Sequence, residues 1–327
     1  MRRREFIAAL GGAATYACAA RADNPERVRR VGVLIYGAED DPVTMTRVDG
    51  LRQGLRKFDW AEGRNLQIDF RFGAADPGRI RTYAKELVNL APDVIVTGAA
   101  PATHAVLAQT QTIPVVFVEV TNEVGYGLSG KLARPETNTT GITNLYLAIG
   151  ARWLELLKEA APHLTRVALL FNPAFDARAY LAAIKTAAGA YHLKVTKVPV
   201  RTEHDTAPAV AAFAAEPNGG LLVVPPTPAF ADIRLIFKLA NQYRLPAIYP
   251  NRGFAAEGGL MAYGAVSSEL FRQAATYVDR ILRGAKPSDL PVGFPTKFDL
   301  VVNLKAAKAI GLEFPPILLA RAAEVVQ

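Results

Sequence analysis

Cysteine is nearly absent from this sequence: Cys18 is the single one in 327 residues. No intramolecular disulfide can form, and no Cys/His grouping has metal-ligand spacing. Long apolar runs are missing too. The one extended apolar, small-residue stretch, Ile7 to Ala20, has 14 residues, short of the roughly 20 a helix needs to span a bilayer. Runs of one charge are equally scarce. The 38 Lys+Arg against 30 Asp+Glu give a net +8, but the cations are scattered among acids, as in KFDWAEGR. That pattern lacks the basic, aromatic-interleaved footprint of a nucleic-acid binder. The 25 glycines and 22 prolines are too ordinary for collagen-like or low-complexity chains. What remains is a globular composition, 50% hydrophobic and 21% charged. The length exceeds the ~250–300 residues at which one core stops growing, so two domains are predicted.

Residues Met1 to Ala22 read as a signal peptide: a basic start, the apolar stretch, then Ala20-Arg21-Ala22 as an A-x-A-like cleavage site. Arg3-Arg4 followed by Phe6-Ile7 resembles the twin-arginine export signal. Lipid anchoring at Cys18 is disfavoured, because Thr15-Tyr16-Ala17 lack the branched aliphatic that usually precedes a lipidated cysteine. Removing Met1 to Ala22 takes away four arginines and one glutamate, so the net charge falls from +8 to +5.

Beyond residue 22, apolar runs of strand length alternate with helix-period segments. VGVLIY (Val31 to Tyr36), NLQIDFRF (Asn65 to Phe72), DVIVT (Asp93 to Thr97) and PVVFVEV (Pro114 to Val120) are separated by helices over Thr44 to Phe58, Arg79 to Leu90 and Ala102 to Gln109. Continuous β-branched runs suit strands buried on both faces, and strand–helix alternation predicts a parallel sheet. The order then recurs. VALLFN (Val167 to Asn172), KVTKVPV (Lys194 to Val200), GLLVVPPTP (Gly220 to Pro228) and LPAIYPN (Leu245 to Asn251) alternate with helices over Ala179 to Tyr191, Ala207 to Ala215 and Asp232 to Tyr243. The series repeats after about 130 residues, far beyond a solenoid period. Two similar α/β lobes follow. A last strand–helix unit, Lys297 to Leu312, stands outside the repeat.

In open parallel sheets, ligands bind beyond the carboxyl ends of the strands. The strand exits therefore supply the candidate ligand-binding residues: Tyr36, Thr97, Gly98, Ala99, Thr121, Asn122, Asn144, Asn172, Pro226, Thr227, Asn251 and Tyr263. Each one alone also fits an ordinary βα turn. Together they place amides, hydroxyls and aromatics at the exits of both halves, a chemistry suited to a small polar ligand. Glu119 and Glu123 either pair with an ammonium group or are solvated.

Catalytic patterns are weak. GYGLSGKL (Gly125 to Leu132) fits G-x-x-x-x-G-K, but Leu132 stands where a phosphate-binding loop needs Ser or Thr on magnesium. His104, His163, His192 and His204 have no partner at catalytic spacing. No enzyme, metal or cofactor is predicted.

The stretches MRRREFIAALGG, IPVVFVEVTNEVGYGL, LARPETNTTGITN, WLELLKEAAPHLTRVALLFNP, RLPAIYPNRGFAAEGGLMAYG and LPVGFPTKFDLVVNLKAAKAIGL resemble the substrate-binding proteins of bacterial ABC transporters, in the group that includes binders of aromatic amino acids. The Arg-Pro-x-x-Asn-x-Thr-Gly core at Arg134 to Gly141 is the most specific of these. The resemblance implies a type I periplasmic-binding-protein fold of two Rossmann-like lobes joined by a three-stranded hinge, closing on ligand in the cleft between them. Expected bounds are a signal peptide over 1–22, an N-terminal lobe of 23–144 plus 260–290, and a C-terminal lobe of 145–259 plus 291–327. The chain would cross near Asn144, near Gly259 to Tyr263 and near Leu290 to Pro295. Expected partners are a small-molecule ligand, an ABC permease and its ATPase subunit, with a monomeric chain in the periplasm. Relatives commonly show Asp-Pro-Val where this chain has Asn122-Glu123-Val124, so ligand identity is not carried over. Docking on a membrane receptor as a ligand sensor, or an exported α/β enzyme, are the alternatives.

Overall fold

The computed structural model describes residues 27–120, 138–144, 148–173, 178–224 and 233–327. The expected signal peptide lies outside them. The chain begins on β1 (Arg29–Ile35), continues through α1 (Pro42–Arg56), β2 (Leu66–Phe72), α2 (Pro77–Asn89), β3 (Val94–Gly98), α3 (Ala100–Leu107) and β4 (Val115–Val120), and reaches β5 (Thr139–Thr143). It goes on through α4 (Ile149–Ala160), β6 (Arg166–Phe171), α5 (Arg178–Ala188), β7 (Lys194–Pro199), α6 (Glu203–Ala214), β8 (Gly219–Val223), α7 (Ile233–Gln242), β9 (Ala247–Tyr249), α8 (Gly253–Ala256) and β10 (Met261–Ala265). Helix α9 (Ser267–Leu282), β11 (Phe298–Asn303), α10 (Leu304–Ile310), α11 (Pro316–Arg321) and β12 (Glu324–Val326) complete it. Among the described residues no helix is long and apolar enough to cross a membrane.

Several helices start earlier than hydrophobic periodicity predicts, because their caps precede the apolar stripe. Asp41 accepts from the N–H groups of Val43 and Thr44 with Pro42 opening α1, and Asp76 accepts from Arg79 N–H with Pro77 opening α2. Thr202 and Asp205 form a reciprocal capping box at α6.

The chain divides into two compact units. The first comprises the described residues of 27–143 up to Val120 and from 138, plus Leu270–Gly293; the second comprises those of 144–269 plus Phe294–Gln327. In the first, a five-stranded sheet has the order β2-β1-β3-β4-β5 with every pair parallel. One face packs on α2 and α3 through Leu34, Ile80, Leu87, Ile95 and Val106. The opposite face meets α9, where Phe271 comes within 3.0 Å of the place a β-carbon on Gly98 would occupy. Helix α1 lies against α9 at Gly54, whose β-carbon would stand 2.6 Å from that of Ala275. Trp60 Nε1 and Arg283 Nε both donate to Asp279, at 2.9 and 2.7 Å.

The second unit carries a seven-stranded sheet of order β12-β11-β10-β9-β8-β6-β7. It is mostly parallel, and β11 runs antiparallel to β10. Val266 N–H bonds Lys297 O, so β11 starts beside the end of β10 and can only run back along it. Residues 260–269, expected in the N-terminal lobe, lie in the second unit because β10 is hydrogen-bonded between β9 and β11. Two cores cover this sheet, one around Trp153, Leu157, Ile184 and Leu300, the other around Phe213, Phe237, Tyr249 and Val301.

Tyr249 packs edge-on against Phe237 and Phe254, and its enclosed hydroxyl has no hydrogen-bond partner among the described residues. Burial pushes its pKa well above the usual phenol range. An unmet buried donor costs stability, whereas an isosteric apolar replacement does not. Tyr249→Phe is expected to raise unfolding stability by about 1 kcal/mol, measured by urea denaturation; a loss would mean that the hydroxyl is satisfied.

Candidate functional site

Nine non-glycine residues among those described have positive φ. Five of them, Asp59, Ala91, His192, Asn218 and Arg244, stand where a helix gives way to the next strand, the usual left-handed C-terminal position. The other four, Ala74, Ala75, Ala99 and Glu119, all lie at the carboxyl edge of the first unit's sheet. Strain that no helix end explains clusters at binding sites.

That edge is built from the exits of β1 to β4. After β1, Gly37 lies so close to Thr44 that a β-carbon would stand 2.0 Å from Oγ1. The turn there needs glycine. Asp41 accepts from Thr44 Oγ1 at 2.8 Å as well as from the two helix N–H groups. Burial acts to raise the Asp41 pKa, but these hydrogen bonds and the Arg47 charge together hold it below the usual carboxylate range. After β2, the N–H groups of Ala74 and Ala75 donate to the carbonyls of Gly37 and Tyr36 at 3.1 and 2.8 Å, tying two exits together. Ala99 opens α3 at φ 73°, ψ 160°, with no side-chain cap. Glu119 sits at φ 60° where the β4–β5 register slips between Val118 and Val120. Its Oε2 lies 3.1 Å from Arg47 Nε.

The expected site residues fare differently. Tyr36 is half-buried against the α2–α3 core and Ala99 is half-exposed at the edge. Thr97 is fully buried: its hydroxyl lies 2.8 Å from that of Thr103, which itself donates to Ala99 O at 3.0 Å. Thr97 therefore donates inward and holds the strained turn; it does not face solvent. Gly98 is the contact point for Phe271. Thr121, Asn122, Pro226, Thr227 and Glu123 lie outside the described residues.

In the second unit, Asn144 has an enclosed Oδ1 with no partner among the described residues. Asn172 is almost fully buried at the exit of β6. Asn251 is exposed, and its Oδ1 accepts from Gly253 N–H at 3.0 Å, so it serves its own helix start. Tyr263 stacks on Phe298 with ring centroids 5.8 Å apart and planes at 20°. Arg152 of α4 reaches over the same ring at 5.9 Å. Trp153 Nε1 donates to Tyr263 O at 2.7 Å, which fixes the backbone behind the stack. This gives β10 a stacked aromatic pair packed against the Trp153 core, with Arg152, itself paired to Glu155, beside it.

Arg47, Asp41, Arg152 and Phe298 were not read from the sequence. Asp41 carried a signal, the Asp-Pro helix start; the others sit on neighbouring elements that only folding brings to the edge. A cavity of about 670 Å³ also opens beside the exits of β1 and β2, lined by Asp40, Phe70, Arg71, Phe72, Arg79 and Tyr83 among others. None of the expected residues lines it. Among the described residues, no group of three or more His, Cys, Asp or Glu is placed to hold a metal ion.

Two α/β units with parallel or mostly parallel sheets and polar strand exits are the architecture of a type I periplasmic binding protein. The chain belongs to the ABC transporter substrate binding protein family, whose model matches residues 32–326. It is 23% identical over 271 residues to a tyrosine-binding protein of Clostridioides difficile (strain R20291), covering 81% of this chain and 76% of that one. A conserved domain protein of Vibrio cholerae superposes with TM-score 0.73 at 28% identity, over 91% of this chain and all of that one. An ABC domain from Streptococcus pneumoniae in complex with L-Trp gives TM-score 0.74 at 23% identity, over 91% and 99% of the two chains. Solute capture for an ABC importer is the function that this membership carries.

Asp41 organises the first exit, so its loss tests that edge. Its pKa is depressed in the fold, hence its contribution is present above the unfolded carboxylate value and fades as pH falls through the folded one. Asp41→Ala is expected to cost about 1 kcal/mol near pH 7 and to be indistinguishable from wild type in strong acid. Chemical denaturation across pH measures this; a deficit that persisted below the folded pKa would refute the capping role.

Proposed function

We propose that this chain is exported to the periplasm, where it binds an aromatic amino acid or a close analogue and passes it to the permease and ATPase of an ABC importer, without chemical turnover. The observation that carries the ligand class is the Tyr263–Phe298 stack with Arg152 across it. Stacked rings beside a guanidinium that Glu155 already pairs suit an aromatic ligand better than a simple anion. The tyrosine-binding relative and the L-Trp complex support the same class. Asn144 adds an acceptor that has no partner among the described residues, and such a group gains from a ligand N–H what it lacks in the free protein. Binding would favour the closed conformation that the fold class uses, because a ligand shifts a population only by its differential affinity.

Adding L-tyrosine or L-tryptophan to ligand-stripped protein is expected to raise the melting temperature by several degrees, since a ligand at 100 times its Kd adds about 2.7 kcal/mol. Asn144→Ala should leave the unliganded melting temperature unchanged and weaken binding about tenfold in calorimetric titration. Silence from both amino acids would overturn the ligand class. Unchanged affinity in Asn144→Ala would remove that residue from the site.

A further inference from the structure

The Arg47–Glu119 pair is unlike the other ion pairs of the first unit. Glu119 occupies a left-handed backbone conformation inside a strand, at the point where the β4–β5 ladder slips by one residue. Bulges of this kind re-aim a side chain beside a site. A glycine would adopt φ 60° freely, so a glutamate there is held against local strain. Its side chain is 12% exposed and that of Arg47 is 19% exposed, enclosed yet reachable. Arg47 Nε stands 3.1 Å from Oε2, a contact of opposite charges, since Nε has no hydrogen-bond partner among the described residues. Arg47 also faces Asp41, the cap of its own helix. Asp41, Arg47 and Glu119 thus sum to one excess negative charge, at the strand exits of a chain whose net charge is +8.

We infer that Glu119 is the acceptor for the ammonium group of the ligand: its partly enclosed carboxylate at the bulge takes the N–H groups, and Arg47 is a positioning residue whose charge faces Oε2. The inference rests on the amino-acid reading above and deepens it. A pair that served only to tie α1 to β4 would not need the positive-φ backbone of Glu119. Partial enclosure strengthens the contact, because a charge-assisted hydrogen bond gains as water is excluded.

The test pairs each amino acid with its deaminated counterpart: L-tyrosine with 3-(4-hydroxyphenyl)propanoate, and L-tryptophan with indole-3-propanoate. Affinities of the ligand-stripped full chain are measured by calorimetric titration. Wild type is expected to prefer an amino acid over its deaminated counterpart by about 10- to 100-fold, the range of one charge-assisted hydrogen bond. Glu119→Gln keeps size and polarity, and should lose that preference while binding the deaminated acid within about threefold of wild type. Glu119→Gly, which suits the backbone, should do the same and guards against a folding defect in the first variant. A preference that survives in both folded variants overturns the inference and leaves the ligand class standing. Equal binding of both members of a pair by wild type has the same meaning. Failure of wild type to bind either amino acid overturns the ligand class, and the inference with it.

Discussion

Burial of the parallel strands on both faces governs the rest of this structure. In β1, β3 and β4 almost every side chain beyond the first residues is shut away from water, because helices cover each sheet on both sides. Such strands have no solvated face on which to carry polar chemistry. A buried polar group needs a partner inside the fold, as Thr97 finds in Thr103. Function is therefore pushed to the strand ends, where backbone and side chains leave the ladder. The location of the candidate site is a consequence of how the core is stabilised.

The same constraint explains why strain is tolerated at that edge. A non-glycine residue at positive φ costs on the order of 1 kcal/mol or more, and Ala74, Ala75, Ala99 and Glu119 each have it. The strain is offset by surroundings that over-determine each turn. Ala99 is held by Thr103 and by its own N–H bond to Val118 O. The turn at Ala74 and Ala75 is bonded to the exit of β1. Three of the four are alanines, which leave little bulk over the edge. Glu119 is the exception, and its charge is the reason it stands out.

Much of the fold was legible from residue order. Continuous β-branched runs such as VGVLIY and DVIVT suit two-sided strands, and their alternation with helical segments predicts parallel sheets. Long-range pairing was not legible. Nothing local in GGLMAYGAV says that β10 pairs with β9 and β11 in the second unit, and nothing in KFDLVVN announces that β11 runs antiparallel. For the candidate site, strand exits could be named from the sequence, but not the side chains that folding brings beside them. Thr97 is buried and bonds Thr103 of α3. Asn251 accepts from Gly253 N–H just ahead of α8. Arg47 is 72 positions from Glu119, and no pattern in either segment couples them.

Stability and recognition in this chain draw on different residues. The cores around Leu34 and Ile95 in one unit, and around Trp153 and Tyr249 in the other, supply buried apolar area and carry the folding free energy. The edges contribute little apolar burial and hold groups that the free protein leaves unsatisfied or strained, such as Asn144 Oδ1 and the Glu119 backbone. Groups fixed before the ligand arrives lose little freedom on binding, which is where preorganised sites gain affinity. The first unit's edge is charged and backbone-rich, while the second unit's edge carries stacked rings. Neither a strained, charged edge nor an unmet buried acceptor arises from the demands of packing alone.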